Sequence, residues 1–204
     1  MKGAGYKLFP VLWVLLLVAC DSGPHLRPLS AEATVLAFGD SLTYGTGAPQ
    51  DESYPSILAE LLGRTVVNAG MPGELSARGL GRLSDLLARY RPQLVILIHG
   101  GNDFLRNQDP KTVESNLRAM IALARNGGAD VILIGVPRPG LFVTPPPFYA
   151  ELAREYGVPF DGEILHRLLT DRALKSDTVH PNAAGYRELA LAIHQLIVAA
   201  TPGA

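Results

Sequence analysis

A single cysteine, Cys20, occurs in 204 residues, and it precedes every segment patterned like folded structure. The folded part therefore holds no thiol. That excludes disulfides, a cysteine nucleophile and a thiolate metal site, and leaves packing as the source of stability. An excess of one charge is equally missing. The 18 Lys and Arg against 19 Asp and Glu give a formal net charge of -1 with no basic stripe, so the electrostatic footprint of a nucleic-acid binder is absent. Gly45-Thr46-Gly47 lacks the third glycine of a dinucleotide loop, and the full phosphate-loop pattern is missing as well. No cluster of His, Asp and Glu has metal-ligand spacing, so neither a metal nor another cofactor is expected. There is no internal repeat and no second-domain boundary. A composition of 48% hydrophobic and 18% charged residues suits one domain with its own core.

What is present begins with an export signal. Lys2 and Lys7 precede the uncharged apolar run from Leu8 to Ala19. That run is shorter than the ~18 to 20 residues needed to span a bilayer, so residues 1–19 are expected to be a signal peptide and not a transmembrane helix. Leu17-Val18-Ala19-Cys20 resembles the bacterial lipoprotein box, in which the cysteine becomes the lipidated first residue. That resemblance implies attachment to a membrane through Cys20 and a place in the cell envelope, facing the periplasm or the exterior. Asp21 resembles an inner-membrane retention signal. Residues 20–32, with Ser22, Gly23, Pro24 and Pro28, are expected to tether the domain, which is expected over 33–204.

From Ala33 onward, short apolar runs alternate with longer segments of helical period, which argues for an α/β fold with a parallel sheet flanked by helices. Strands are predicted at Thr34 to Phe38, Thr65 to Asn68, Leu94 to His99 and Val131 to Gly135. Helices are predicted at Tyr54 to Leu62, Ala77 to Tyr90, Pro110 to Arg125, Phe148 to Tyr156 and Asn182 to Ala200. Leu80, Leu83, Leu87 and Tyr90 share one helix face; Val113, Leu117, Met120, Ile121 and Ala124 share another. Asp109-Pro110 reads as a helix cap and first turn. Residues 137–147 carry five prolines and no period, as a rigid excursion would.

In such sheets ligands bind beyond the carboxyl ends of the strands. The loop after the first strand reads Gly39-Asp40-Ser41-Leu42-Thr43-Tyr44-Gly45. Thr43 replaces the last glycine of the G-x-S-x-G elbow, which argues against the α/β-hydrolase fold. Taken alone, a serine there is more often a turn or helix-cap residue than a nucleophile. Asp177-Thr178-Val179-His180 places a carboxylate three residues before a histidine, a spacing that lets Asp177 accept from Nδ1 and frees Nε2 for a serine. A capping Asp beside an exposed His fits that pair too. Two further loops, Asn68-Ala69-Gly70-Met71-Pro72-Gly73-Glu74 and Gly100-Gly101-Asn102-Asp103, offer amides for an oxyanion, from Gly73 or Gly70 and from Asn102. Asp40 and Asp103 are expected to organise loop amides. His99 is expected to be a hydrogen-bonded strand-end residue, His25 to belong to the tether, and His166 and His194 to be structural.

Together these four blocks resemble the SGNH hydrolases, the GDSL esterase/lipase superfamily, and within it the thioesterase I, lysophospholipase L1 and arylesterase group. The resemblance runs from about Thr34 to the end, and no catalytic position departs from the pattern. It implies a three-layer α/β/α flavodoxin-like fold, with Ser41 as nucleophile and first oxyanion donor. The pattern Asn-Ala-x-x-x-Gly-Glu selects Gly73 over Gly70 as the second donor, and Asn102 is the third. Asp177 and His180 complete the triad. The implied reaction is hydrolysis of carboxylic esters, of short to medium acyl or aryl type. Thioesters and lysophospholipids are the family's other substrates; the alternatives are a carbohydrate acetyl esterase of the same superfamily and, behind it, a non-catalytic lipid-anchored binding protein. The expected partner is a small ester or acyl substrate, met by a monomer. Tyr44, Phe104, Leu105, Leu141, Phe142 and the proline-rich segment 137–147 fit either an apolar acyl groove or the edge of the core.

Overall fold

The computed structural model describes residues 23–138, 140 and 144–202. The expected signal peptide 1–19, Cys20 and Asp21, and the groove candidates Leu141 and Phe142, lie outside the described residues.

Runs of Val, Ile and Leu carry the centre of the sheet. β1 (Thr34–Gly39), β3 (Leu94–Ile98) and β4 (Asp130–Ile134) are buried almost end to end, as strands covered on both faces must be. β2 (Thr65–Gly70) and the two-residue β5 (Phe160–Asp161) form the edges and are only partly buried. All five strands are parallel, in the order β2-β1-β3-β4-β5. This is the flavodoxin-like order that the resemblance implied.

Strand order and handedness then place the helices. α2 (Tyr54–Leu62) connects β1 to β2, moving one way across the sheet. α3 (Ser76–Tyr90), α5 (Pro110–Asn126) and α6 (Phe148–Tyr156) make the later crossovers, moving the other way. Because such crossovers are right-handed, the two sets cover opposite faces. α2 accordingly packs on α8 (Ala183–Ala200), and α3 packs on α5. On α5, Val113, Leu117, Met120 and Ile121 are buried, each contributing about 1.5–3 kcal/mol. Asp109 caps this helix by accepting from the Lys111 amide at 3.0 Å, with Pro110 in the first turn.

Three helices and β5 have no counterpart in the sequence reading. α1 (Ser41–Tyr44) and α4 (Gly101–Leu105) are single turns, and α7 (Ile164–Thr170) has seven residues. A 3.6-residue period cannot declare itself over so few positions.

The segment leading into β1 lies against the domain. Leu26 is buried in the core, and its amide donates to the Ala200 carbonyl at 2.8 Å. Arg27 pairs with Asp130, the first residue of β4, at 3.1 Å. Gln93, just before β3, accepts from the Ser30 amide and donates to the Pro28 carbonyl. These partners sit at the amino ends of the strands, so the strap closes the pole opposite the strand carboxyl ends.

Candidate active site

Strand order reverses between β1 and β3, which opens a crevice beyond their carboxyl ends. Ser41 follows β1 there. Asp40 is buried and accepts from the Leu42 amide at 3.1 Å, capping α1 and turning the chain sharply out of the strand. Thr43 beneath it shares a buried hydrogen bond with the Tyr54 hydroxyl at 3.2 Å, which fixes α1 to α2.

His180 arrives from the far end of the chain. Asn182 caps α8 by accepting from Gly185, and its own amide donates to the Leu174 carbonyl. The Ser176 amide donates to the His180 carbonyl at 2.9 Å, so the loop before α8 is closed on itself. The Tyr186 hydroxyl on α8 donates to the Thr46 carbonyl at 2.8 Å, tying this helix to the loop after α1. The outcome is a continuous hydrogen-bonded chain. His180 Nε2 lies 3.0 Å from Ser41 Oγ, and its Nδ1 lies 2.7 Å from Asp177 Oδ2. Asp177 Oδ1 also accepts from the amides of Val179 and His180, at 2.8 and 2.9 Å.

Partial burial works against ionisation of Asp177, but the hydrogen bonds from the His180 ring and the two amides outweigh it and hold the carboxyl below the usual carboxylate range. A carboxylate at Nδ1 fixes that proton and leaves Nε2 as the acceptor facing the serine. Asp40 moves the other way. Burial pushes its carboxyl up, only partly offset by the Leu42 amide and the nearby Asn102 side chain.

Ser41, Gly73, Asn102 and His180 line one cavity of about 560 Å³, within the range of small-molecule sites. Gly73 has φ +75, a left-handed conformation that glycine adopts without strain. Its amide and that of Ser41 are engaged by no other group among the described residues. The alternative donor, Gly70, is spent: its amide donates to Asn68 Oδ1 at 3.0 Å. Its Cα also abuts the Tyr44 backbone, where an added Cβ would lie 2.1 Å from nitrogen.

Residues 37–188 match the GDSL-like lipase/acylhydrolase family. The chain belongs to that family. This GDSL-like protein is 39% identical over 114 residues to an arylesterase of Vibrio mimicus, an alignment covering 53% of this chain and 57% of the relative. It thus spans less than two thirds of that arylesterase. It is 36% identical over 148 residues to an esterase TesA of Pseudomonas aeruginosa, covering 70% of this chain and 73% of the relative. Among solved structures, one of TesA superposes with a TM-score of 0.73 at 29% identity, covering 80% of this chain and 97% of that one.

In this GDSL-like protein the fold brings Ser41, Gly73, Asn102 and His180 to one cavity, with Asp177 bonded to His180. Asp40 caps α1, and Asp103 accepts from the Ser76 amide and hydroxyl at 2.8 and 2.7 Å, so both organise loops. Of the groove candidates, Leu105 lines the cavity, whereas Phe104 is buried with its ring 6.5 Å from that of Phe148, and Tyr44 is not part of the lining. Successive residues of a helical turn point about 100° apart, so α4 can offer only one of Phe104 and Leu105 to the cavity. From the proline-rich segment, Pro137 lines the cavity as well, while Leu42, Pro72, Val136, Leu169 and Val179 supply apolar wall that the sequence reading did not pick out. Most adjoin block residues in sequence, and Leu169 carries no local signal at all. His166 and His194 lie on α7 and α8, away from the Ser41 chain.

Proposed function

We propose that the chain is a carboxylic ester hydrolase working through an acyl-Ser41 intermediate, with short to medium acyl and aryl esters as substrates. The observation that carries this reading is the Asp177–His180–Ser41 hydrogen-bonded chain at the mouth of an apolar cavity. Ser41 Oγ attacks the ester carbonyl while His180 Nε2 takes its proton, and Asp177 stabilises the imidazolium formed. The tetrahedral oxyanion is held by the amides of Ser41 and Gly73 and by the Asn102 side chain. Collapse expels the alcohol, which leaves with the proton from His180. Water, activated by the same imidazole, then releases the acid and regenerates Ser41.

The names of the relatives, an arylesterase and an esterase, support this reaction class. The mainly apolar wall supports an acyl or aryl group as the part recognised. The lipoprotein-like Leu17-Val18-Ala19-Cys20 supports an exported protein held to the cell envelope through a lipid on Cys20. On that reading the docked strap enters at the pole opposite Ser41 and leaves the mouth clear. Hydrolysis of p-nitrophenyl esters from acetate to palmitate, with Ser41→Ala as control, tests the proposal. An optimum at short or medium chains that disappears in the variant supports it; equal hydrolysis by the variant refutes it.

A further inference from the structure

The triad does not explain how the oxyanion donors keep their alignment. Ser41, Gly73 and Asn102 come from three different loops, after β1, β2 and β3, and no bond within the triad reaches the second or third of them. One largely buried ion cluster does reach all three loops. Arg82, on α3, donates through Nη2 to the Gly39 carbonyl at 3.1 Å and to the Ala69 carbonyl at 2.8 Å. Gly39 is the last residue of β1 and Ala69 the last but one of β2. The same guanidinium forks onto Glu74, with Nε 2.8 Å from Oε1 and Nη2 2.7 Å from Oε2, and it lies over the Phe38 ring of β1 at 4.4 Å.

Glu74 is the residue after Gly73, and its carboxylate continues to β3. His99 Nε2 is 3.3 Å from Glu74 Oε2, and His99 Nδ1 accepts from the Gly100 amide at 2.9 Å. The Gly100 bond leaves the imidazole proton on Nε2, pointed at Glu74. From the other side the Tyr149 hydroxyl donates to the His99 carbonyl at 2.7 Å. Burial opposes the charge on Glu74, but the bonds from His99 and Arg82 outweigh it and keep the carboxyl below its usual range. Space is made for the cluster at Gly79, where a Cβ would lie 2.4 Å from His99 Nε2.

From these contacts we infer that Arg82, Glu74 and His99 act as positioning residues, stapling the three oxyanion-donor loops into register. The inference rests on the donor assignment proposed above. None of the three lines the cavity, so they act through Ser41, Gly73 and Asn102. An oxyanion hole works only when its donors converge at once, and each is worth about 10² to 10³ in rate. A displacement of about 1 Å costs on the order of 10². The staple therefore governs kcat more than KM. A planar fork is required, because Nε and Nη2 sit side by side to reach both carboxylate oxygens while Nη2 also faces the strand carbonyls, and a single ammonium nitrogen cannot occupy both places.

The test compares Arg82→Met, Arg82→Lys and His99→Gln with the wild type, using a p-nitrophenyl ester well below the melting temperature of each variant. His99→Gln keeps a donor for Glu74 but sets no acceptor where Nδ1 takes the Gly100 amide, so it provides a second, milder break if Arg82→Met does not fold. Arg82→Met and Arg82→Lys should both lose about 10²-fold in kcat with KM within about twofold, and His99→Gln about tenfold. Affinity for a trifluoromethyl ketone, which forms an oxyanion on Ser41, should fall in the same order. Arg118→Met, which loses surface ion pairs to Glu114 and Glu155, should shift melting and leave kcat alone. Asn102→Ala run in parallel separates the two ideas. If it keeps full kcat, the donor assignment fails and the staple with it. If it loses kcat while folded Arg82 and His99 variants stay within about twofold of wild type, the staple alone is overturned.

Discussion

His180 Nε2 stands 3.0 Å from Ser41 Oγ although 139 positions separate the two residues. The contact joins the turn after the first strand to the turn before the last helix, and it has no structural duty that another bond does not already fulfil. Ser41→Ala should therefore lower kcat on p-nitrophenyl esters by at least about 10⁴-fold while the melting temperature stays unchanged. Asp177→Asn should cost less, about 10² to 10⁴, because the side chain orients the ring from a half-exposed position. Steady-state kinetics alongside calorimetry checks both.

The two glycines of the second block should separate cleanly on substitution. Gly73→Ala meets no close neighbour, with Arg106 Nη2 at 3.7 Å, but must hold φ +75 at a cost of about 1–2 kcal/mol. Its expected signature is a fall in kcat in a protein that still folds. Gly70→Ala would drive a Cβ to 2.1 Å from the Tyr44 nitrogen, so its signature is a large loss of stability. Denaturant melts read against kcat distinguish the two.

Acid should weaken the fold through Glu74. Because its carboxyl is held below the ordinary range, its stabilisation is complete above about pH 4.3 and is lost as pH falls below that towards the lowered native value. Glu74→Gln should be less stable at neutral pH, where it leaves Arg82 unpaired. The two melting curves should converge as pH falls below about 4.3. Thermal midpoints across that range provide the measurement, and parallel curves would show that Glu74 is not the group responsible.

The strap at the amino pole should matter for stability alone. Leu26→Ala removes a buried side chain 5% exposed and should cost about 2–3 kcal/mol. Arg27→Ala, whose pairing with Asp130 is largely exposed, should cost under about 1 kcal/mol. Neither should change kcat at a temperature where the protein is folded.

Much of this was legible in the sequence because it rests on local rules. Leu94 to Ile98 and Val131 to Ile134 are too short and too apolar to be anything but buried strands, and Val113, Leu117, Met120, Ile121 and Ala124 mark a helix face by spacing alone. Asp109-Pro110 announces a cap. The Asp177 to His180 spacing fixes that pair within one turn of chain. Gly39 to Gly45 marks a turn bearing a serine at a strand end, and strand ends are where an α/β sheet binds ligands.

Tertiary structure decided which of these pieces meet. Nothing local makes Ser41 face His180; the order β2-β1-β3-β4-β5 and the return of α8 beside α2 do so. That the Gly70 amide is engaged by Asn68 and packed on the Tyr44 backbone is visible only in the fold, and the choice between Phe104 and Leu105 as cavity lining needed the orientation of α4. Arg82 shows the limit most plainly. In the sequence it is one arginine on an amphipathic helix, and only the assembled sheet brings the Gly39 and Ala69 carbonyls within its reach. Periodicity and caps act over a few bonds and can be read along the chain. A hydrogen bond between distant segments depends on every crossover between them, and no short stretch of sequence contains that information.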